Sequence, residues 1–520
     1  MTSHRVDIAI VGGGLSGLSA ARELTKQGFV DFEIFEASDR VGGRTFADAD
    51  GTDLGVIGSL NDIFFAGGAY VGPTQDRILH IIDELGLELQ PVNTAGQTVQ
   101  IIDGSVRCFA GTIPPVSFLG MLDLNSAMVR MDALTKTMNL SHPHLSENAV
   151  RLDSITVEEL IIQSTWTEDA RSILRTAVRA ILCTEPCALS ALFFLWYIAQ
   201  SGGVKRIFET EGGAQNSKVK GGAGRIAELL AKKYAPIHSK LFVGTPIRRI
   251  DTSGLAVRLE THAGLIIEAN HVILAIPPVQ QLRIEFVPAL SAERFLSLQR
   301  WPMGCICKTF MYYETRFWAK DFNGSIIADD GVVCVTYDDT KLDGSKPCIM
   351  GFVLSNESLH ERSREDRIKA ICERYAEAFQ TDEALNYVDY KEKKWAEEQW
   401  VGGCYVGTAG PNVLTSCKRV HCEPLAGKVF VAGTEAAHRM IGYMDGAVEA
   451  GERAARNVLV TLGLINESQY EKISSPPASK QLDTQPMEIT SIEKVLPSVI
   501  SVLSICTVVV GIAVVRYLKR

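Results

Sequence analysis

Gly12, Gly14 and Gly17 stand at the spacing GxGxxG, directly after the apolar run 6–11 (VDIAIV) and before a stretch, 16–27, with Leu18, Ala21 and Leu24 on one helical face. Strand, glycine turn and helix in that order are chemistry for a pyrophosphate. The first glycine permits the tight turn, the second lets backbone approach the phosphates, and the third lets helix and strand pack closely. The helix start adds free N–H groups and the positive end of its dipole. Glu36 closes a second apolar run, 32–35, nineteen residues after Gly17. A carboxylate there accepts hydrogen bonds from ribose hydroxyls. Together these residues predict a dinucleotide site.

Further groups could act on such a cofactor or on its substrate. Arg40-Val41-Gly42-Gly43-Arg44 follows the second run, and Gly433-Thr434-Glu435 follows another apolar run, 429–432. Lys308 lies in the apolar run 305–313; a buried ammonium there needs partners, whereas one on a solvated strand face needs none. Cys404 follows Gly402 and Gly403, which let backbone approach a flat ring. Read alone, it is equally a plain buried cysteine. Tyr405 and Tyr443 offer electron-rich ring faces that attract an amine nitrogen. Read alone, they are equally core tyrosines.

Several of these stretches resemble the flavin-containing amine oxidase superfamily, and within it the monoamine oxidases. They are the RVGGR run ending at Arg44, the segment 69–75 containing Tyr70, and FFLWY at 193–197 followed by Gly202-Gly203. Gly402-Gly403-Cys404-Tyr405 and the long run 442–456 complete the match. The resemblance implies FAD, bound covalently as an 8α-S-cysteinyl link at Cys404. It implies that Arg44 helps hold the pyrophosphate and that Ile247, Gly433, Thr434 and Glu435 contact the cofactor. Lys308 would hold a water near flavin N5, and Tyr405 and Tyr443 would form two aromatic walls. Tyr70, Leu182, Phe208, Gln215 and Val335 would gate or line the substrate cavity, and Phe208 opposite a small Val335 implies one undivided cavity. The implied reaction is oxidative deamination of primary and some secondary or tertiary monoamines by O2, giving aldehyde, ammonia and hydrogen peroxide. A polyamine or L-amino-acid oxidase is the alternative. It would need cavity acids or an arginine clamp, absent from the carried-over positions. Departures from the family pattern are Val401 for serine, His438-Arg439-Met440-Ile441 for Thr-His-Trp-Ser, and Ala409-Gly410 for an aromatic and a proline. They bear on substrate preference. A homodimer in the mitochondrial outer membrane, its catalytic part facing the cytosol, is also implied.

The elements that must position these groups read as an α/β fold. A Rossmann-like FAD-binding domain is expected to be discontinuous (5–89, 220–294, 398–460), with an α+β substrate domain from 90–219 and 295–397. Strands are expected at 6–11, 32–35, 272–276, 306–312, 332–337, 348–354 and 429–432, with helices at 16–27, 364–379 and 447–462. The stretch 95–210 reads as mainly helical. A polar linker, 461–494, leads to a run of 21 uncharged residues, 495–515, flanked by Lys494, Arg516, Lys519 and Arg520. At about 1.5 Å per residue such a run crosses a hydrocarbon core of roughly 30 Å, so a C-terminal transmembrane helix in contact with lipid is expected. The net charge of -9 argues against a nucleic-acid partner. Twelve cysteines without a CxxC pair read as reduced thiols, and no metal is expected. A second GxGxxG, which a pyridine-nucleotide reductase would carry, is not found.

Overall fold

The apolar run 6–11 is continuous because both of its faces are covered. In the computed structural model, which describes residues 3–46, 48–49, 63–64, 66–111, 115–329, 332–341, 343–354, 362–474 and 487, strand Ser3–Val11 pairs in parallel with Phe32–Phe35 and with Ile266–Leu274. Ile8 and Ile10 enter the hydrophobic cluster beneath helix Leu15–Lys26, while Val6, Ala9 and Val11 enter the cluster on the opposite face. A parallel sheet buried on both sides requires such unbroken runs.

Among the described residues this sheet has eight strands. Its path runs Leu241–Phe242, Phe32–Phe35, Ser3–Val11, Ile266–Leu274, Val257–Thr261, Ile247–Asp251, Glu285–Val287, and Val429–Val431 also pairs with Ile266–Leu274. The strand expected at 272–276 therefore begins earlier. Its first half pairs antiparallel with Val257–Thr261, and its second half runs parallel to Val429–Val431. Glu268, Asn270 and His271 break the apolar pattern of the first half and hide it from a hydrophobicity reading. Ser3–Val11, Ile266–Leu274 and Val429–Val431 all end at one sheet edge, where Gly12, Ala275 and Gly433 follow. Open α/β sheets bind ligands at such carboxyl ends.

A second sheet of seven strands, among the described residues, has the order Asp389–Lys394, Ile306–Tyr312, Cys348–Leu354, Val335–Asp338, Phe322–Ala328, Gln97–Ile102, Ser105–Phe109. The last two form a hairpin inside the stretch expected to be mainly helical. Asp103 and Gly104 both have positive φ (48° and 70°), the backbone a two-residue hairpin turn demands. That dipeptide was the sequence signal for it. One face of this sheet packs on helix Arg364–Phe379 through Cys307, Met311, Ile349 and Val353. Alternation along Ile306–Tyr312 turns Lys308 and Phe310 to the opposite face.

The helices between residues 118 and 208 pack on one another around a hydrophobic cluster of their own. Thr156 and Glu159 form a reciprocal capping box on helix Val157–Ser164, and the Thr167 side chain caps helix Glu168–Leu182. Satisfied first-turn N–H groups fix where each helix starts. Helix Leu15–Lys26 crosses helix Met444–Thr461 at very close range, because a Cβ added at Gly451 would lie 2.0 Å from the Ser16 carbonyl oxygen. Buried charges reinforce this crossing. Arg22 pairs with Glu84 at 2.5 Å and with Glu452 at 2.9 Å, and Glu452 also receives Arg77. The expected membrane span, 495–515, lies outside the described residues. Among the described residues no helix is long and apolar enough to cross a membrane.

Gly451→Ala is expected to push these helices apart and destabilise the protein by about 1–3 kcal/mol, read as a lower denaturation midpoint. Gly254→Ala, where an added Cβ meets nothing closer than 3.4 Å, is expected to stay within about 0.5 kcal/mol.

Candidate active site

At the sheet edge the glycine turn opens onto a cavity of about 1090 Å³. Gly12 has φ +105°, and a Cβ there would meet the Ala275 carbonyl oxygen at 2.6 Å. Gly14 precedes helix Leu15–Lys26 with no side-chain cap, and a Cβ on it would meet nothing within 4 Å. The helix start thus faces the cavity with its N–H groups uncovered. Glu36 stands beside the turn. Its Oε2 accepts from the Gly13 N–H at 2.5 Å, and its Oε1 accepts from the Ser38 N–H at 2.8 Å. Ile247, Gly433, Thr434 and Arg44 line the same cavity. Gly17 does not; a Cβ there would lie 2.0 Å from the Gly12 carbonyl oxygen, so its part is to let the helix close on the turn.

Glu435 also stays out of the cavity lining, although it was expected to contact the cofactor. Both of its oxygens are taken. Arg44 Nη1 donates to Oε1 at 2.5 Å, Arg44 Nη2 to Oε2 at 2.9 Å, and the Gly407 N–H to Oε1 at 3.2 Å. Burial alone would raise this carboxyl, but the Arg44 charge and these hydrogen bonds hold it below its ordinary value. Glu435 therefore acts through Arg44, which also donates to the Tyr405 carbonyl at 2.9 Å.

Cys404 lines the cavity beside Tyr405. A Cβ on Gly403 would lie 2.5 Å from the Gly304 carbonyl oxygen and 2.6 Å from Met303 Cβ, so this glycine lets the 402–405 segment press against residues 303–304. The Cys404 N–H donates to that same Gly304 oxygen at 2.9 Å, and the Cys404–Tyr405 peptide is cis. Burial pushes the Cys404 thiol up to about 12, opposed by the positive charges of Arg44 and Lys308.

Lys308 is buried, and its Nζ donates to the Gly67 carbonyl at 3.1 Å. It also lies 5.4 Å and 5.8 Å from the Phe310 and Phe352 ring centres. Burial pulls its ammonium down to about 8. Trp395, which sequence reading passed over, donates from Nε1 to the neighbouring Ala66 carbonyl at 2.9 Å. Tyr405 meets Phe352 edge-on at 6.0 Å and shares a hydrogen bond with the Cys183 thiol. Tyr443 stacks on Tyr197 at 5.7 Å, and its hydroxyl accepts from Ser201 Oγ at 3.1 Å. Lys308, Tyr405 and Tyr443 all line the cavity.

The other end of the cavity is apolar. Tyr70, Phe208, Gln215 and Val335 line it, with Phe208 and Val335 in one continuous space. Leu182 does not; it is fully buried in the helical core. Ile173, Ala177 and Ile181 of helix Glu168–Leu182 line the cavity instead. Their spacing of four residues marks one helical face, a signal present in the sequence. The Tyr70 ring packs on Tyr337 at 5.5 Å, and its hydroxyl is buried without a hydrogen-bond partner among the described residues.

An uncapped helix start, a ribose-competent carboxylate, an arginine at the turn and a buried sulfur in one cavity fit a flavin dinucleotide. The comparisons agree. The family model for flavin containing amine oxidoreductase matches residues 15–459. The chain belongs to the flavin-containing amine oxidoreductase family. It is 40% identical over 508 residues to flavin-containing amine oxidase A of Canis lupus familiaris, covering 96% of this chain and 94% of that protein. It is 37% identical over 503 residues to flavin-containing amine oxidase B of Sus scrofa, covering 96% and 94%. Among solved structures, cyclohexylamine oxidase from Brevibacterium oxydans superposes with a TM-score of 0.81 at 28% identity, covering 88% of this chain and 99% of that one. Putrescine oxidase superposes with a TM-score of 0.82 at 26% identity, covering 88% and 100%. This amine oxidase is thus an FAD-type oxidoreductase by family.

The placement of helix Glu168–Leu182 yields a paired expectation. Ile181→Phe should raise KM for a bulky arylalkylamine about tenfold, since a pocket discriminates by single methylenes at that scale, with stability little changed. Leu182→Ala should cost about 2–5 kcal/mol of stability and leave KM in place. Steady-state kinetics and denaturation of both variants check this.

Proposed function

We propose that this amine oxidase deaminates primary monoamines oxidatively in the cavity between Lys308, Tyr405 and Tyr443, with aldehyde, ammonia and hydrogen peroxide as products. The observation that carries this is one continuous space joining a dinucleotide turn, a buried cysteine and an apolar chamber. Bound FAD supplies the two-electron oxidation of the amine and the onward reaction with O2. Gly12, Gly14, Glu36, Ile247, Arg44, Gly433 and Thr434 would hold it, and Cys404 would carry it as a thioether to the 8α carbon. The segments 5–89, 220–294 and 398–460 would form the domain that grips it, and 90–219 with 295–397 the substrate domain.

The chain's own groups then set the substrate's charge. Lys308 holds a positive charge up to about pH 8, and like charges close together repel. Of the carboxylates lining the cavity, Glu36 is engaged by the Gly13 and Ser38 N–H groups, and Glu398 by Arg40 and Lys393. Glu209, next to Phe208, also lines the cavity. The buried Lys308 charge repels a second ammonium in the same space, which favours monoamines over the polyamine reading. Tyr405 and Tyr443 present ring faces that admit and orient the nitrogen. The amine thus enters neutral, and no lining carboxylate is assigned as an obligatory base. Residues 495–515 would anchor the protein in the mitochondrial outer membrane, with the catalytic part on the cytosolic side, as a homodimer.

Three outcomes are expected. Peroxide should form with phenethylamine or tyramine, and acid-precipitated protein should stay yellow except in Cys404→Ala. The kcat/KM should rise with pH as the amine loses its proton, with a midpoint that follows the substrate pKa across a series of amines. A fixed midpoint would instead mark an enzyme group. Removing residues 495–520 should release activity from membranes without lowering kcat.

A further inference from the structure

Lys218 and Asp339 form an ion pair that the reaction described above does not use. Lys218 Nζ meets Asp339 Oδ1 at 2.6 Å, with side chains only 8% and 12% exposed. Desolvation offsets most of what such a pair gains in attraction, so its presence asks for a use other than bulk stability. Its position supplies one. Lys218 lies directly across from Tyr70 in the antiparallel pairing of Tyr70–Val71 with Ser217–Val219, and its Nζ is 5.2 Å from the Tyr70 ring centre. Asp339 directly follows strand Val335–Asp338, whose Tyr337 ring packs against the Tyr70 ring at 5.5 Å. One ion pair thus ties the segment carrying Gln215 to the strand carrying Val335 and Tyr337, with Tyr70 held between them.

We propose that the Lys218–Asp339 pair is a positioning device for the substrate cavity, clamping Tyr70 against Tyr337 and keeping the charge beside Lys308 balanced. The proposal rests on the amine-oxidising reading of the same cavity and adds two residues to it. Among the groups acting on Lys308 are Asp339, Lys218, Cys404 and Cys348. Both thiols are pushed up by burial and stay neutral near neutral pH. The two charges of the pair act in opposite directions: Asp339 favours the Lys308 ammonium and Lys218 disfavours it. Removing either alone exposes Lys308 to the other. Removing both restores the balance.

The test uses the FAD-loaded full chain with Asp339→Asn, Lys218→Met and the double variant. The protonation of Lys308 is read from its rate of reductive methylation by formaldehyde against pH, quantified by peptide mass spectrometry. The midpoint is expected near pH 8 in the parent, lower in Asp339→Asn, higher in Lys218→Met, and near the parent value in the double variant. Each single variant should raise KM for phenethylamine about tenfold, with kcat changed less than about twofold. The double variant should return KM to within about threefold of the parent, because no unpaired charge remains. Lys218→Arg keeps the pair and should leave the midpoint unmoved; a shift there as large as in Lys218→Met overturns the proposal even if a neutral variant folds poorly. Single variants that shift the midpoint in the same direction, or leave it in place, overturn the proposal; so does a double variant no better than the singles. If the parent holoenzyme makes no peroxide from amines, the function reading fails, while the methylation midpoints still decide the role of the pair.

Discussion

The site depends on one buried carboxylate. Glu435 binds the Arg44 guanidinium through both oxygens and the Gly407 N–H through one, and Arg44 reaches on to the Tyr405 carbonyl. Three stretches far apart in the chain, the arginine-rich turn after the second strand, the 404–407 segment and the start of the 434–436 turn, are thereby fixed to one another. Removing one partner of such a pair leaves an uncompensated buried charge, about 3–5 kcal/mol. Further bonds hold the carboxylate's own backbone, since Arg419 Nη2 donates to the Glu435 carbonyl at 2.7 Å. Arg44 can therefore present cationic N–H groups at the cavity wall without swinging into it, and the backbone that carries Cys404 and Tyr405 inherits that rigidity.

The two ends of the cavity differ because different layers supply them. Carboxyl ends of parallel strands and a helix start furnish the polar end, where uncovered backbone N–H groups and ion-paired side chains are held in fixed directions. The inner face of the second sheet and helix Glu168–Leu182 furnish the apolar end. Lys308 stands at the junction because strand alternation turns it inward, and the carbonyls of Ala66 and Gly67 receive Trp395 and Lys308 in succession. Burial strips water from this ammonium, which is why its titration falls to about 8.

What the sequence made legible was local. The glycine turn, the strand before it and Glu36 all lie within the first 36 residues, and each follows from spacing alone. The hairpin around Asp103-Gly104 was equally local but was overlooked in favour of helical composition around it. Leu182 and Ile181 show a sharper limit: neighbours on a helix differ by about 100° in direction, so an error of one position moves a residue from cavity to core. Gly403 and Gly451 show another. Their missing side chains make room for Met303–Gly304 and for Ser16, partners that no local pattern names. The Lys218–Asp339 pair spans 121 residues, and neither residue carries a local mark of its role.

Tyr70 connects these levels. Its hydroxyl is buried and has no hydrogen-bond partner among the described residues, a condition that costs about 1–3 kcal/mol when nothing satisfies it. Its ring nevertheless packs on Tyr337 and lies near the Lys218 ammonium. The polar end grips its ligand with groups already directed there, whereas the apolar end offers few polar groups, Tyr70 and Gln215 among them, and otherwise shape. Affinity for the cofactor and selection of the amine are thus assigned to different physical forces, hydrogen bonding with charge at one end and exclusion of water with exclusion of like charge at the other.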